Sequence, residues 1–167
     1  VEVDPNPLYK GRSFNSGGAS MDRSAAAADN MRKGFNCAQS IVKAFSSELT
    51  VDEQAAVKMA ASLGAGLGRN GYVCGALSGA ALVIGARYGN TDPADTAGRE
   101  KAYAVANELL EKFQRENHTV LCRELISFNL KNPDELKRAR EMGVFQNRCP
   151  LFVLSAGKIL EEILASS

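Results

Sequence analysis

Residues 71–86 read GYVCGALSGAALVIGA, a run without a charged side chain that ends at Arg87. It is shorter than the ~20 residues a membrane-crossing helix needs. The run therefore reads as a buried central helix from Tyr72 to Tyr88, ended by Gly89. Small residues recur four apart on one face, Gly75 with Gly79 and Ala76 with Ala80. That spacing removes side-chain bulk and lets a neighbouring helix backbone come close. One reading is tight helix packing in the core; the other is that backbone N–H groups near Gly75 are left open to a bound sulfur or cluster, which makes Gly75 and Gly79 candidate cofactor-binding positions.

Helical patterns extend outward in both directions. Asp22 to Lys33 is alanine-rich and breaks at Gly34, and Ala38 to Leu49 is amphipathic. Thr50 with Glu53 forms a capping-box pattern before Val57, Ala60 and Ala61, in a helix that stops at Gly64. Asp92-Pro93 opens the longest helix, with Tyr103, Ala106, Leu110 and Phe113 at helical spacing. Short helices follow at Thr119 to Phe128 and Pro133 to Met142, and Pro150 to Leu164 closes the chain. No stretch alternates as a strand should, and no fixed repeat recurs. The expectation is an all-α, single-domain bundle of about six to seven helices, with a Gly-rich loop and a central apolar helix. The domain spans 21–167. Residues 1–20, with Pro5, Pro7, Gly11, Gly17 and Gly18 and no apolar period, read as an N-terminal arm, either the extension of a mature exported form or an added one.

At 167 residues the chain is long enough for one substantial core, and a net charge of +1 gives no electrostatic reason to expect nucleic acid or an anionic membrane. Gly66-Leu67-Gly68-Arg69-Asn70-Gly71 matches G-x-G-x-x-G, but a helix precedes it and no parallel strand follows, so a dinucleotide site is rejected. His118 is the only histidine, which excludes a His-rich zinc site, and it reads as an exposed or capping side chain. Asn117-His118-Thr119 fits a glycosylation sequon too short to weigh by itself. The carboxylates, Glu48, Glu53, Glu111 and Glu161 among them, lie between lysines and arginines and read as a solvated surface.

The cysteines are the chemistry-bearing residues. Cys37 follows Asn36, a good N-cap; Cys74 opens the apolar helix; Cys122 comes three residues after Thr119, another N-cap candidate. Cys149 precedes Pro150 and is itself an N-cap candidate. A helix N-terminus carries roughly half a positive charge and unpaired N–H donors, so it favours the thiolate, the form that attacks disulfides and binds metals. Arg69, Arg123 and Arg148 push the same way, and Cys149 beside Arg148 is the first choice for a lowered pKa. The gaps between cysteines are long and there is no C-x-x-C, so neither a zinc ribbon nor a thioredoxin-type site is indicated. All-thiolate ligation of an iron–sulfur cluster or zinc, a thiol/disulfide couple, and two structural disulfides all stay open. Buried cysteines acting as small hydrophobes would explain the count but not the shared placement.

Four segments carry a resemblance: Gly34-Phe35-Asn36-Cys37-Ala38-Gln39-Ser40, Cys74-Gly75-Ala76-Leu77-Ser78-Gly79, Cys122-Arg123-Glu124-Leu125, and the late Cys149. Together they resemble the C_GCAxxG_C_C family, whose members are described as redox-active. The likeness covers about Met21 to Ile163 with every motif position intact. It implies that Cys37, Cys74, Cys122 and Cys149 form one redox or metal site, with an iron–sulfur cluster in electron transfer as the leading version and zinc or no metal as alternatives. It further implies a bacterial protein with a redox partner protein or oxidoreductase. Some members carry twin-arginine export signals, which move folded proteins with cofactors inserted, so a periplasmic location is favoured over a cytoplasmic one. No substrate comes with the resemblance, and whether the chain forms a homo-oligomer is open.

Overall fold

The computed structural model describes residues 22–166, and the expected arm at 1–20 lies outside them. The described chain is an all-α single domain, as the periodicity predicts. Its helices are α1 (Arg23–Arg32), α2 (Cys37–Ala44), α3 (Glu53–Met59), α4 (Gly75–Tyr88), α5 (Thr96–Asn117), α6 (Cys122–Ile126), α7 (Pro133–Glu141), α8 (Val144–Asn147) and α9 (Cys149–Ala165). Short 3-10 turns occupy Ser46–Glu48 and Ala60–Leu63.

Local chemistry sets where the helices begin. Asp22 caps α1 by accepting from the N–H groups of Ser24 and Ala25, and Asn36 with Gln39 forms a reciprocal capping box on α2. The box expected at Thr50 is displaced: Asp52 caps α3, because its carboxylate reaches the Ala55 N–H. In the same way Asp95, not Asp92, caps α5. Thr119 caps nothing; its hydroxyl accepts from the Leu121 N–H, and Leu121 precedes α6 without a side-chain cap. His118 is the C-cap of α5, in the left-handed region at φ 69°.

The apolar helix α4 packs on α2, α5 and α9 through Ala76, Leu77, Gly79, Ala80, Val83 and Ile84, all buried. Its burial is one-sided, since Ala81, Leu82, Gly85 and Ala86 face solvent. The most enclosed helix is α9, which buries ten of its 17 residues against α1, α2, α4 and α5. Two glycines permit these approaches. A β-carbon on Gly79 would lie 2.6 Å from the Ala38 carbonyl oxygen, and one on Gly157 would lie 2.8 Å from Ser24 Cα. Helix backbones in near contact exclude any side chain larger than hydrogen at those points.

Glu48 departs furthest from the solvated reading. The Glu48 side chain is only 16% exposed and is paired with Arg23 at 2.8 Å and Arg87 at 2.9 Å, tying α1, the first 3-10 turn and the end of α4 together.

Candidate functional site

The approach to Cys74 is built by an unusual backbone. The Gly64–Leu67 element turns left-handed: Ala65, Gly66, Leu67, Gly68 and Arg69 all have φ between 55° and 75°. A left-handed turn costs roughly 1–2 kcal/mol per L-residue outside glycine, so Ala65, Leu67 and Arg69 are held there by their surroundings. The turn is closed by bonds from Gly68 to Gly64, Gly71 to Ala65 and Tyr72 to Gly66, and it leads into a short pairing of 71–74 with 120–123. The Cys74 N–H donates to Val120 at 2.8 Å, Cys122 to Tyr72 at 2.6 Å and Arg123 to Gly71 at 3.1 Å. The G-x-G-x-x-G stretch therefore serves as a hairpin-like bend that sets Cys74 and Cys122 side by side. Among the described residues there is no strand, only the isolated antiparallel bridge of Val73 with Leu121.

Each cysteine sits at a helix start. Cys37, Cys122 and Cys149 are the first residues of α2, α6 and α9, and Cys74 is the N-cap of α4. Cys149 is thus one position inside the expected cap, with Arg148 outside it. All four line a single cavity of about 340 Å³. Apolar side chains, including Phe35, Leu125, Ile126, Leu130, Phe145 and Phe152, supply much of the remaining wall. Cys37, Cys74 and Cys122 are buried, Cys149 is half-buried, and none is in a disulfide. Gly79 stands away from this lining against Ala38, whereas Gly75 touches the site. A β-carbon on Gly75 would overlap Cys37 Sγ.

The thiols are not equivalent. Cys37 is lowered to about 7, chiefly because the Cys74 thiol donates a hydrogen bond to it. The backbone N–H groups of Ala65 and Ala38 and its own N–H add to this and together outweigh burial. The left-handed turn therefore contributes a donor to the sulfur. Cys74 moves the opposite way, since it gives its proton to that bond, is buried, and faces the Cys37 charge. Burial pushes Cys122 up to about 12, with the Cys37 charge second. Cys149 is also raised, by burial and then by Cys37 and Cys122, with Arg148 opposing weakly.

The expectation that Cys149 is the acidic thiol is thereby overturned. Arg148 turns its guanidinium to the carbonyls of Leu125 at 2.8 Å and Ile126 at 3.2 Å, closing the end of α6. Arg123 lies over the Tyr72 ring, 5.6 Å from its centre. Neighbouring cations in sequence therefore do little for the thiolates; a second thiol and backbone N–H groups do most. Sequence reading missed Ala65, whose role depends on a positive φ that its side chain disfavours.

A lone zinc ion draws its thiolates to about 2.3 Å from one point. Among the described residues no three Cys, His, Asp or Glu side chains are so disposed. An iron–sulfur cluster distributes four thiolates over several irons, which calls for a cavity rather than a point. The all-sulfur donor set around an apolar cavity, with Gly75 clearing space beside Cys37, fits that kind of group.

No helix among the described residues is long and apolar enough to cross a membrane. No curated protein and no solved structure matches the chain. A family model described as "Putative redox-active protein (C_GCAxxG_C_C)" matches residues 35–163, more than three-quarters of the sequence and all four cysteines. The chain belongs to the C_GCAxxG_C_C family.

Proposed function

We propose that this is an electron-transfer protein in which Cys37, Cys74, Cys122 and Cys149 hold one iron–sulfur cluster. The observation that carries the reading is the convergence of four cysteines, from four separate helix starts, on one cavity. When bound, the cluster supplies one-electron chemistry. The chain's own contribution is electrostatic and steric. The N–H groups at the starts of α2 and α4 and at Ala65 favour negative sulfur. The apolar wall limits water, which bears on the potential of any group held there. A redox partner protein exchanges electrons with the site, and export in the folded state suits a protein that must carry its cofactor with it.

Anaerobic purification followed by visible absorbance, iron and acid-labile sulfide analysis tests this. The expected result is iron and sulfide in equal amounts, lost or strongly reduced in each single Cys→Ser variant. Colourless protein free of iron and sulfide after anaerobic reconstitution would overturn it.

A second reading, a metal-free thiol/disulfide couple, is favoured by the hydrogen bond between Cys74 and Cys37 and by the lowered Cys37. These are the properties of an attacking thiolate beside a resolving thiol. It predicts a reversible two-electron couple in metal-free protein that disappears in Cys37→Ser and in Cys74→Ser.

A further inference from the structure

The cysteine cavity has a neighbour. A cleft of about 350 Å³ shares Asn36, Ala65, Leu130 and Phe145 with it, so the two spaces have a common wall. Arg69 and Arg140 also line this cleft, and no acidic side chain does. Among the described residues neither guanidinium has a side-chain hydrogen bond or an ion pair, unlike Arg23, Arg32, Arg87 and Arg148. The two come from unrelated elements. Arg69 ends the left-handed turn at φ 75°, and Arg140 lies in the last turn of α7. Leu130, Leu136 and Phe145 make the other side of the cleft apolar.

Two exposed guanidiniums beside an apolar surface favour one class of ligand. Guanidinium presents a planar fork of donors that matches a carboxylate or phosphate. The apolar side adds affinity for hydrocarbon attached to such a group. We propose that this cleft binds a small organic anion, its carboxylate or phosphate held by Arg69 and Arg140 and its apolar body laid on Leu130, Leu136 and Phe145. Through the common wall the anion lies beside the four cysteines, where its charge acts on the redox group they hold. That last role rests on the redox reading above, whereas the binding itself does not.

Ligand-observed saturation-transfer NMR on the full chain as purified tests the binding, with hexanoate, hexyl phosphate and neutral 1-hexanol as probes. One or both anions should bind at least about tenfold tighter than hexanol, the effect of a hydrogen bond to a charged group. The tighter anion identifies the headgroup. Arg69→Gln with Arg140→Gln should abolish the advantage over hexanol while the far-UV circular dichroism stays that of the parent. Lys101→Gln, which changes an exposed cation on α5, should leave it intact. Anions that bind no better than hexanol, or a double variant that binds like the parent, would overturn the proposal. Iron, sulfide and thiol measurements decide the redox reading independently, so either can fail while the other stands.

Discussion

Gly75 and Cys37 are fitted to each other: the sulfur of one occupies the space that a side chain on the other would take. The same glycine lies 3.1 Å, at its notional β-carbon, from the Leu63 carbonyl oxygen and 3.2 Å from Gly64 Cα. Three segments thus meet where only hydrogen fits. The constraint is tertiary, since nothing in the local geometry of α4 forbids alanine at its first position.

Gly75→Val should therefore harm the site beyond its effect on the fold. On helix propensity alone, replacing a glycine stabilises by up to about 1 kcal/mol. Here overpacking should reverse the sign and cost ~1–3 kcal/mol. Gly79→Leu should cost at least as much, by pushing the Ala38 backbone and α2 away from α4. Urea unfolding measures both. Cofactor content and Cys37 alkylation separate them, with Gly75→Val losing site chemistry disproportionately to its loss of stability.

Metal-free, reduced protein should contain one fast thiol. Iodoacetamide should alkylate Cys37 with a midpoint near pH 7, and Cys122 only in strongly alkaline solution. Mass spectrometry after brief labelling at each pH identifies the modified residue. Cys74→Ala should raise the Cys37 midpoint, because the first cause of its lowering is the Cys74 hydrogen bond. An unchanged midpoint in that variant would assign the effect to the N–H groups instead.

Stability should follow pH in two directions. Cys37 has a folded pKa below its unfolded value of about 8.5, so it contributes stability that is complete above that pH. The contribution is lost as pH falls through about 7. Cys122 is raised, so its contribution is complete below its unfolded pKa and lost as pH climbs toward 12. Urea midpoints of metal-free protein should rise from about pH 6 to about pH 8.5 and fall above about pH 9. Cys37→Ser should remove the rise and leave the fall.

The left-handed turn offers substitutions of opposite sign. Leu67 has φ 57° and is 50% exposed, so glycine there removes backbone strain while giving up little burial. Leu67→Gly should stabilise by up to about 1 kcal/mol. Gly66→Ala should destabilise by about 2 kcal/mol or more. Its β-carbon would sit 2.7 Å from the Tyr72 nitrogen and 2.8 Å from Cys122 Cβ. Thermal unfolding of the two variants beside the parent checks both signs.

Asn36→Ala should weaken α2 and the site together. The Asn36 side chain caps Ala38 and Gln39 and also donates to the Ala61 carbonyl at 2.9 Å. Loss of such a cap costs about 1 kcal/mol, and the bond to Ala61 adds to it. Asn36→Asp keeps the acceptor but not the donor, so it should recover part of the loss in urea unfolding.

Much of this protein is local and therefore legible in its residues. Helical periodicity, the cap at Asn36, the stop at Gly89 and proline after Cys149 depend on neighbours within one or two turns, and they place all four cysteines at helix starts. The spacing of Gly75 and Gly79 likewise implies a close approach, though not the group that makes it. What approaches what is a different matter. That Gly75 meets Cys37 while Gly79 meets Ala38 depends on how α4 lies across α2. Which cysteine is acidic depends on a thiol 37 residues away in sequence and on a left-handed turn, not on the adjacent arginine. The helices and the cysteines at their starts are legible because backbone propensity and capping act over a few residues, although the caps of α3 and α5 fall at Asp52 and Asp95 and not at Thr50 and Asp92. That the sulfurs share one cavity, and that Cys37 is the thiol whose pKa is lowered, follows from how the helices pack. Burial and hydrogen-bond donors from distant segments set a thiol's pKa, and they exist only once the helices have packed.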